Sequence, residues 1–316
     1  MPSRRERPVW RRVDGVLLVD KAAGVTSNGA LQGARRLLRA AKAGHTGTLD
    51  PLATGLLPVL FGDATKFGGE LLAADKTYAA EIALGTTTTT GDAEGAVLER
   101  RPVSLDRAGV ERTLARFRGE IDQVPPMYSA LKRDGRALYE YARAGQTVER
   151  APRAVRIDSL ELDAFAGERL AVTVRCSKGT YVRVLAEDIG RVLGCGAHLA
   201  GLRRLASGPF ALADAITLDS LAGLAESARD ARLLPVDALV AHLPAMTLDE
   251  AGTLRFSQGQ ANAATGPEAG RIRVYGPGGG FLGVGDAGPD GRLRPRRLVR
   301  ADEHAAAIPV PARKTL

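Results

Sequence analysis

Residues 43–66, AGHTGTLDPLATGLLPVLFGDATK, place a histidine, His45, and an aspartate, Asp50, among several glycines. Gly44, Gly47, Gly55 and Gly62 permit tight turns, and Pro51 pushes Asp50 toward an extended backbone. The two side chains therefore fall on an irregular loop ahead of an apolar run, 56–61, that reads as a buried strand. A phosphate-binding loop needs Gly-Lys-Ser/Thr after its glycines, but Gly47 is followed by Thr48 and Leu49. A catalytic metal needs three or four ligands. The histidines His45, His198, His242 and His304 are scattered, no HExxH pattern occurs, and no metal is expected. A lone carboxylate can attack an electrophilic carbon without any cofactor, which makes Asp50 a candidate nucleophile and His45 a substrate contact. An Asp that only caps a turn ahead of a proline is the alternative. Composition alone favours the turn cap.

The elements that must position this loop follow from patterning. Residues 15–20, GVLLVD, read as a buried strand. Ser27 or Asn28 caps a helix to about Lys42, which would place Arg35, Arg39 and Lys42 on one face. Residues 78–84 alternate, with Tyr78, Ala80, Ile82 and Leu84 on one side of a strand. Helices are expected over 106–118, 136–144 and 181–193, and strands over 155–165, 169–176 and 198–205. Strands and helices do not alternate steadily, so the class is α+β with a largely antiparallel mixed sheet. Near residue 240 the texture changes to short strands separated by Gly and Pro, the pattern of a small β-barrel. The expected division is a flexible basic arm over 1–12, a catalytic domain over 13–240, a β domain over 241–301 and a tail over 302–316.

Charge narrows the partners. The 316 residues carry 44 Lys and Arg against 36 Asp and Glu, a formal net charge of +8. Such a chain is drawn to polyanions. Arg4, Arg5, Arg7, Arg11 and Arg12 crowd one end, and Arg292, Arg294, Arg296, Arg297 and Arg300 the other. Solvated soluble segments are the plainer reading of both clusters. The apolar runs 16–19 and 56–61 fall far short of the ~20 residues that span a bilayer, and no signal-peptide pattern opens the chain. Cys176 and Cys195 are the two cysteines, too few for a disulfide framework. No membrane partner and a cytoplasmic location are expected.

The string GHTGTLDPLATGLLPVLFGDATK resembles the signature of the TruB family, the tRNA pseudouridine-55 synthases. GVLLVDKAAGVTSN resembles the family's opening strand and turn, DKTYAAEIALG its second motif, and VPPMYSALKRDGRALYEYARAG its middle segment. CSKGTYVRVLAEDIG resembles the third motif, GAHLAGLRRLASGPF the next strand, and RPRRLV the C-terminal region. The order and length of these matches cover most of the chain. Two departures stand out: Ala22 follows Lys21 where the family usually has Pro, and Thr88, Thr89 and Thr90 replace Thr-Asp-Thr.

The resemblance implies a pseudouridine synthase fold with a PUA-like C-terminal module. It also implies isomerisation of the T-loop uridine of tRNA, gripped through the T stem and T loop, with no small-molecule cofactor. It makes Asp50 the nucleophile, attacking C1′ or C6, and His45 the residue that fills the space of the flipped base. Tyr78 becomes the aromatic beside the uracil, rather than a core tyrosine. Arg183 becomes the partner of Asp50, keeping it ionised, rather than a phosphate contact. Tyr181 and Leu202 line the base, Leu202 through its backbone, and Asp92 is a second partner for Arg183. A monomer is expected. The alternative from another class is an RNA-binding or tRNA-folding protein with a vestigial isomerase site.

Overall fold

The computed structural model describes residues 10–129, 131–263 and 269–300. Strand β1, Gly15–Lys21, is apolar on both faces and buried along nearly all its length, as a strand covered on both sides must be. Helix α1, Ser27–Leu37, is capped by Thr26, whose hydroxyl accepts from the Gly29 amide. The cap is not Ser27 or Asn28: the Ser27 hydroxyl turns inward, donating to the Leu49 carbonyl and accepting from the Leu49 amide. The helix also stops short of Lys42. Arg39 takes φ +50° and pairs with Glu226, so Arg35, Arg39 and Lys42 share no helix face. Short β2, Ala43–His45, then pairs antiparallel with β3, Thr54–Phe61, which in turn pairs with β1.

The main sheet runs in the order Ile216–Thr217, β1, β3, Ala197–Ser207, β4 (Lys76–Leu84), Arg169–Cys176, Arg153–Ala166, Gly119–Gln123. Along this order two junctions are parallel, Ile216–Thr217 on β1 and Ala197–Ser207 on β3. The sheet is thus largely antiparallel and mixed, as expected. Helices Arg107–Ala115 and Val182–Val192 cover part of it, packing Val110, Leu114, Leu185 and Ile189 against Ile82, Leu84, Val172 and Val174. Helix α1 covers Leu17, Val19, Leu57 and Val59.

A second, curled five-stranded sheet follows, in the order Ala245–Thr247, Gly270–Tyr275, Phe281–Ala287, Arg292–Leu298, Asn262–Ala263. Met246, Phe256, Ile272, Val274 and Leu293 form its core. It is welded to the main body: Val284 joins Phe67, Leu71, Leu239 and Val240 in one apolar cluster, and Lys66 donates to the Leu298 carbonyl at 2.9 Å.

The basic ends differ from a free arm and an open arginine row. Arg11 is docked, its backbone bonded to Arg39 and Ala41 and its side chain to Asp230, because the charged fork finds carboxylates nearby. Arg12 pairs with Asp14 at 2.8 Å. The flexible arm expected over 1–12 therefore does not include these residues, and 1–9 lie outside the described residues, as does the tail expected over 302–316. In the far cluster, Arg294 pairs with Asp290 at 2.5 Å and Arg296 with Asp286 at 2.9 Å. No helix among the described residues is long and apolar enough to cross a membrane.

Candidate active site

Asp50 sits in the loop between β2 and β3, and the loop is held from several sides. Gly24 donates its amide to the Pro51 carbonyl at 2.9 Å, and Ala53 donates to the Asp50 carbonyl at 3.1 Å. Lys21, buried at the end of β1, donates to the carbonyls of Ala22, Val25 and Pro51 at 2.9, 2.6 and 3.3 Å. Gly55, where the loop enters β3, has φ +97°, and a Cβ there would stand 2.4 Å from the Arg204 carbonyl oxygen. Only glycine admits that approach.

The loop forms one wall of a cleft of about 340 Å³ whose lining includes Asp50, Tyr78, Tyr181, Arg183 and Leu202. Five of the seven residues singled out from sequence therefore meet in one space. His45 lies in an adjoining cavity of about 490 Å³, which shares Asp50 and Arg183 with the first. His45 is on β2 itself, not on the irregular loop expected for it. Its Nδ1 is buried without a partner. Burial, with the nearby Arg204 charge, pushes its pKa down, so the ring is neutral.

Arg183 is the second residue of the helix Val182–Val192. It donates to the carbonyls of Thr90 and Tyr128 at 3.1 and 2.7 Å, and pairs with Asp50 at 3.0 Å and Asp92 at 3.5 Å. The Thr90–Asp92 segment belongs to a hairpin in which Thr86–Thr88 pairs with Val97–Arg100. The guanidinium draws the Asp50 pKa down, as expected. Burial pushes it up more strongly, and the like charge of Asp92 adds to that, so the net direction is upward. The cleft holds a carboxylate that is paired yet harder to ionise than one in water.

Tyr78 lies on β4 with Val174 and Arg204 as its cross-strand neighbours. Burial pushes its phenol up, opposed by Arg204, so the hydroxyl keeps its proton at neutral pH. Tyr181 is the N-cap residue of the Arg183 helix. Gln123 clamps it from the edge strand, accepting from the Tyr181 amide at 3.0 Å and donating to its carbonyl at 3.3 Å. Leu202 reaches the cleft from Ala197–Ser207, and its carbonyl accepts from the Thr54 hydroxyl at 3.4 Å.

The cleft also contains Lys76 and Arg204, neither of which stands out in the sequence. In a basic chain two more cations look like solvated surface. The available signal is position: Lys76 precedes Tyr78 by two on an alternating strand, and Arg204 follows Leu202 by two.

Similarity to known proteins places this fold. The structure of an H/ACA RNP bound to a substrate RNA containing 2′-deoxyuridine includes a chain that matches with a TM-score of 0.70 at 23% identity, covering 96% of this chain and 93% of that one. A chain of a Cbf5-Nop10-Gar1 complex matches with a TM-score of 0.67 at 26% identity, covering 90% and 85%. Residues 35–182 match the model of the TruB family pseudouridylate synthase N-terminal domain. Residues 183–241 match the tRNA pseudouridylate synthase B C-terminal domain, and 244–299 the C-terminal region of pseudouridine synthase II TruB. The class is thus that of the pseudouridylate synthases. Sequence relatives narrow it: tRNA pseudouridine synthase B of Azoarcus sp. (strain BH72) is 59% identical over 93% of this chain and 98% of its own length. The protein of that name from Burkholderia mallei (strain ATCC 23344) is 58% identical over 94% and 97%. The chain belongs to the TruB family.

Proposed function

We propose that this protein is a tRNA pseudouridine synthase that converts the T-loop uridine at position 55 to pseudouridine, with Asp50 as nucleophile. The observation that carries the reading is the Asp50–Arg183 pair, 3.0 Å apart, in a cleft that also holds Tyr78 and Tyr181. The naming of relatives at 59% and 58% identity over nearly the whole chain supports tRNA as the substrate. A uridine inside a folded loop must leave its stack to reach such a cleft. Tyr78 offers a face for the extruded base, worth about 1–3 kcal/mol in stacking, and neutral His45 suits the space the base vacates. Breaking N1–C1′, turning the base and joining C5 to C1′ adds and removes nothing.

Residues 13–240 carry the chemistry in this reading, and 241–301 add phosphate contacts through the T stem. The enzyme acts as a monomer in the cytoplasm. An RNA-folding protein with a vestigial site would not need the intact set of His45, Asp50, Tyr78 and Arg183. The decisive experiment is Asp50→Asn, which keeps shape and removes the nucleophile. No pseudouridine is expected in a single-turnover assay, with RNA affinity within about tenfold because phosphate contacts lie elsewhere. Turnover by a preparation free of native enzyme would overturn the assignment.

A further inference from the structure

Lys76 and Arg204 are buried at the floor of the cleft, 8% and 1% exposed. The Lys76 ammonium donates to the carbonyls of Leu71, Leu72 and Ala74 at 3.1, 3.1 and 2.5 Å. The Arg204 guanidinium donates to those of Leu56 and Gly47 at 2.7 and 2.8 Å. Carbonyls satisfy N–H groups but bring no net charge, and among the described residues neither cation forms an ion pair. The two are also close: a Cβ on Gly47 would stand 3.2 Å from Arg204 Nη1 and 3.9 Å from Lys76 Cε. Burying two like charges without a counter-ion is costly. The cost appears in Lys76, whose pKa burial and Arg204 push down to about 8.

Their placement gives that cost a use. Arg204 stands opposite Tyr78 across the sheet, and Lys76 precedes Tyr78 by two positions on the same strand, hence on the same face. Among the described residues, Asp50 is the one carboxylate lining this cleft, and it is taken by Arg183. We propose that Lys76 and Arg204 form a cationic floor that stabilises negative charge on the uracil during the isomerisation. This rests on reading Asp50 as the nucleophile of a pseudouridine synthase.

The electron count calls for such a floor by either route. Attack of the Asp50 carboxylate on C1′ forms a C1′–O bond and sends the N1–C1′ pair to the base, leaving an anion spread over N1, O2 and O4. Attack on C6 forms a C6–O bond and moves the C5–C6 pair toward O4 as an enolate. Either way the charge leaves the carboxylate and arrives on the base. When C5 has bonded to C1′, the carboxylate departs with its bonding pair, C5 loses its proton and N1 gains one. Fixed donors and cations placed where charge develops are worth far more in such a cleft than in water.

The test compares a T stem-loop carrying uridine with one carrying 5-fluorouridine, whose fluorine stabilises a base anion and lessens the need for help. Loss of the N1–C1′ bond is followed under single turnover at saturating RNA. Lys76→Met should slow the uridine substrate at least about tenfold and the fluorinated one at least about threefold less, while Lys76→Arg recovers most of the rate. Arg204→Gln should behave likewise if it folds by circular dichroism; if it does not, the two Lys76 variants decide. Equal slowing of both substrates would mean that these cations only brace the Gly47 turn, and no slowing would remove them from the chemistry. Asp50→Asn is run alongside. Activity there would sink the parent reading, whereas an inactive Asp50→Asn with equal slowing in Lys76→Met would sink the cationic floor alone.

Discussion

Arg183 and Asp50 form an unequal pair. The guanidinium side chain is 7% exposed and the carboxylate it holds, 3.0 Å away, is 44% exposed. The cation is structural furniture, fixed by the Thr90 and Tyr128 carbonyls and by Asp92. The anion opens into the cleft, where a substrate carbon can meet it. The pair therefore orients Asp50 without sealing it.

The acid side of the pH–rate profile should report this pair. As the proposed nucleophile, Asp50 must be ionised to attack, so the rate should rise with pH through its pKa. Burial outweighs Arg183 and sets that pKa above the ordinary carboxylate value, so the acid limb should lie above ~4. Arg183→Met removes the largest downward influence and should move the limb higher still. The loss of activity should be greater at pH 5.5 than at pH 8, measured under single turnover. A deficit equal at both pH values would assign Arg183 to RNA contact instead.

Stability should move the other way from activity in Asp50→Asn. A carboxyl whose pKa is raised by folding binds its proton more tightly in the native state. Its ionisation therefore costs stability once the pH exceeds the unfolded value, and the cost is complete above the folded one. Asparagine carries no such cost. The melting temperature of Asp50→Asn relative to the native protein should rise as pH goes from 4 to 7. A difference that stays flat or falls over that range would show that the Arg183 attraction prevails over burial.

Tyr78→Phe keeps the ring and removes the hydroxyl. Stacking, and with it RNA affinity, should be retained. If the phenol moves a proton in the rearrangement, turnover should fall by about 100-fold. A near-native single-turnover rate would leave Tyr78 as a stacking platform.

The C-terminal arginines should divide into two groups. Arg292 and Arg297 form no ion pair among the described residues, whereas Arg294 and Arg296 are matched to Asp290 and Asp286. Removing a cation that touches one phosphate lowers the slope of log affinity against log salt by about one unit. Arg292→Gln with Arg297→Gln should therefore flatten the slope of tRNA binding by about two units. The pair Arg294→Gln with Arg296→Gln should change it less. An unchanged slope in the first double variant would mean that this strand does not touch RNA.

The residues proposed to carry the chemistry are legible because they lie in contiguous strings whose types and order are specific: His45 with Asp50, Tyr78 on an alternating strand, Tyr181 with Arg183, and Leu202. The mixed sheet is legible because apolar alternation and runs report which faces are covered, as in GVLLVD and residues 78–84. Other features depend on distances that no local pattern encodes. The hydroxyl of Ser27 is spent on Leu49 rather than on a helix cap. Arg11 is drawn out of the arm by Asp230. Lys76 and Arg204 look in sequence like solvated cations, and the pairing of Ala197–Ser207 with both β3 and β4 is what sets them beside Tyr78. The net shift of Asp50 is a balance of burial, Arg183 and Asp92. Each contribution depends on through-space separation, and five separate stretches of the chain line this cleft. Sequence by itself determined which groups are present and, His45 apart, on which elements they ride. The tertiary structure decided which of them lose water, and therefore which charges can act.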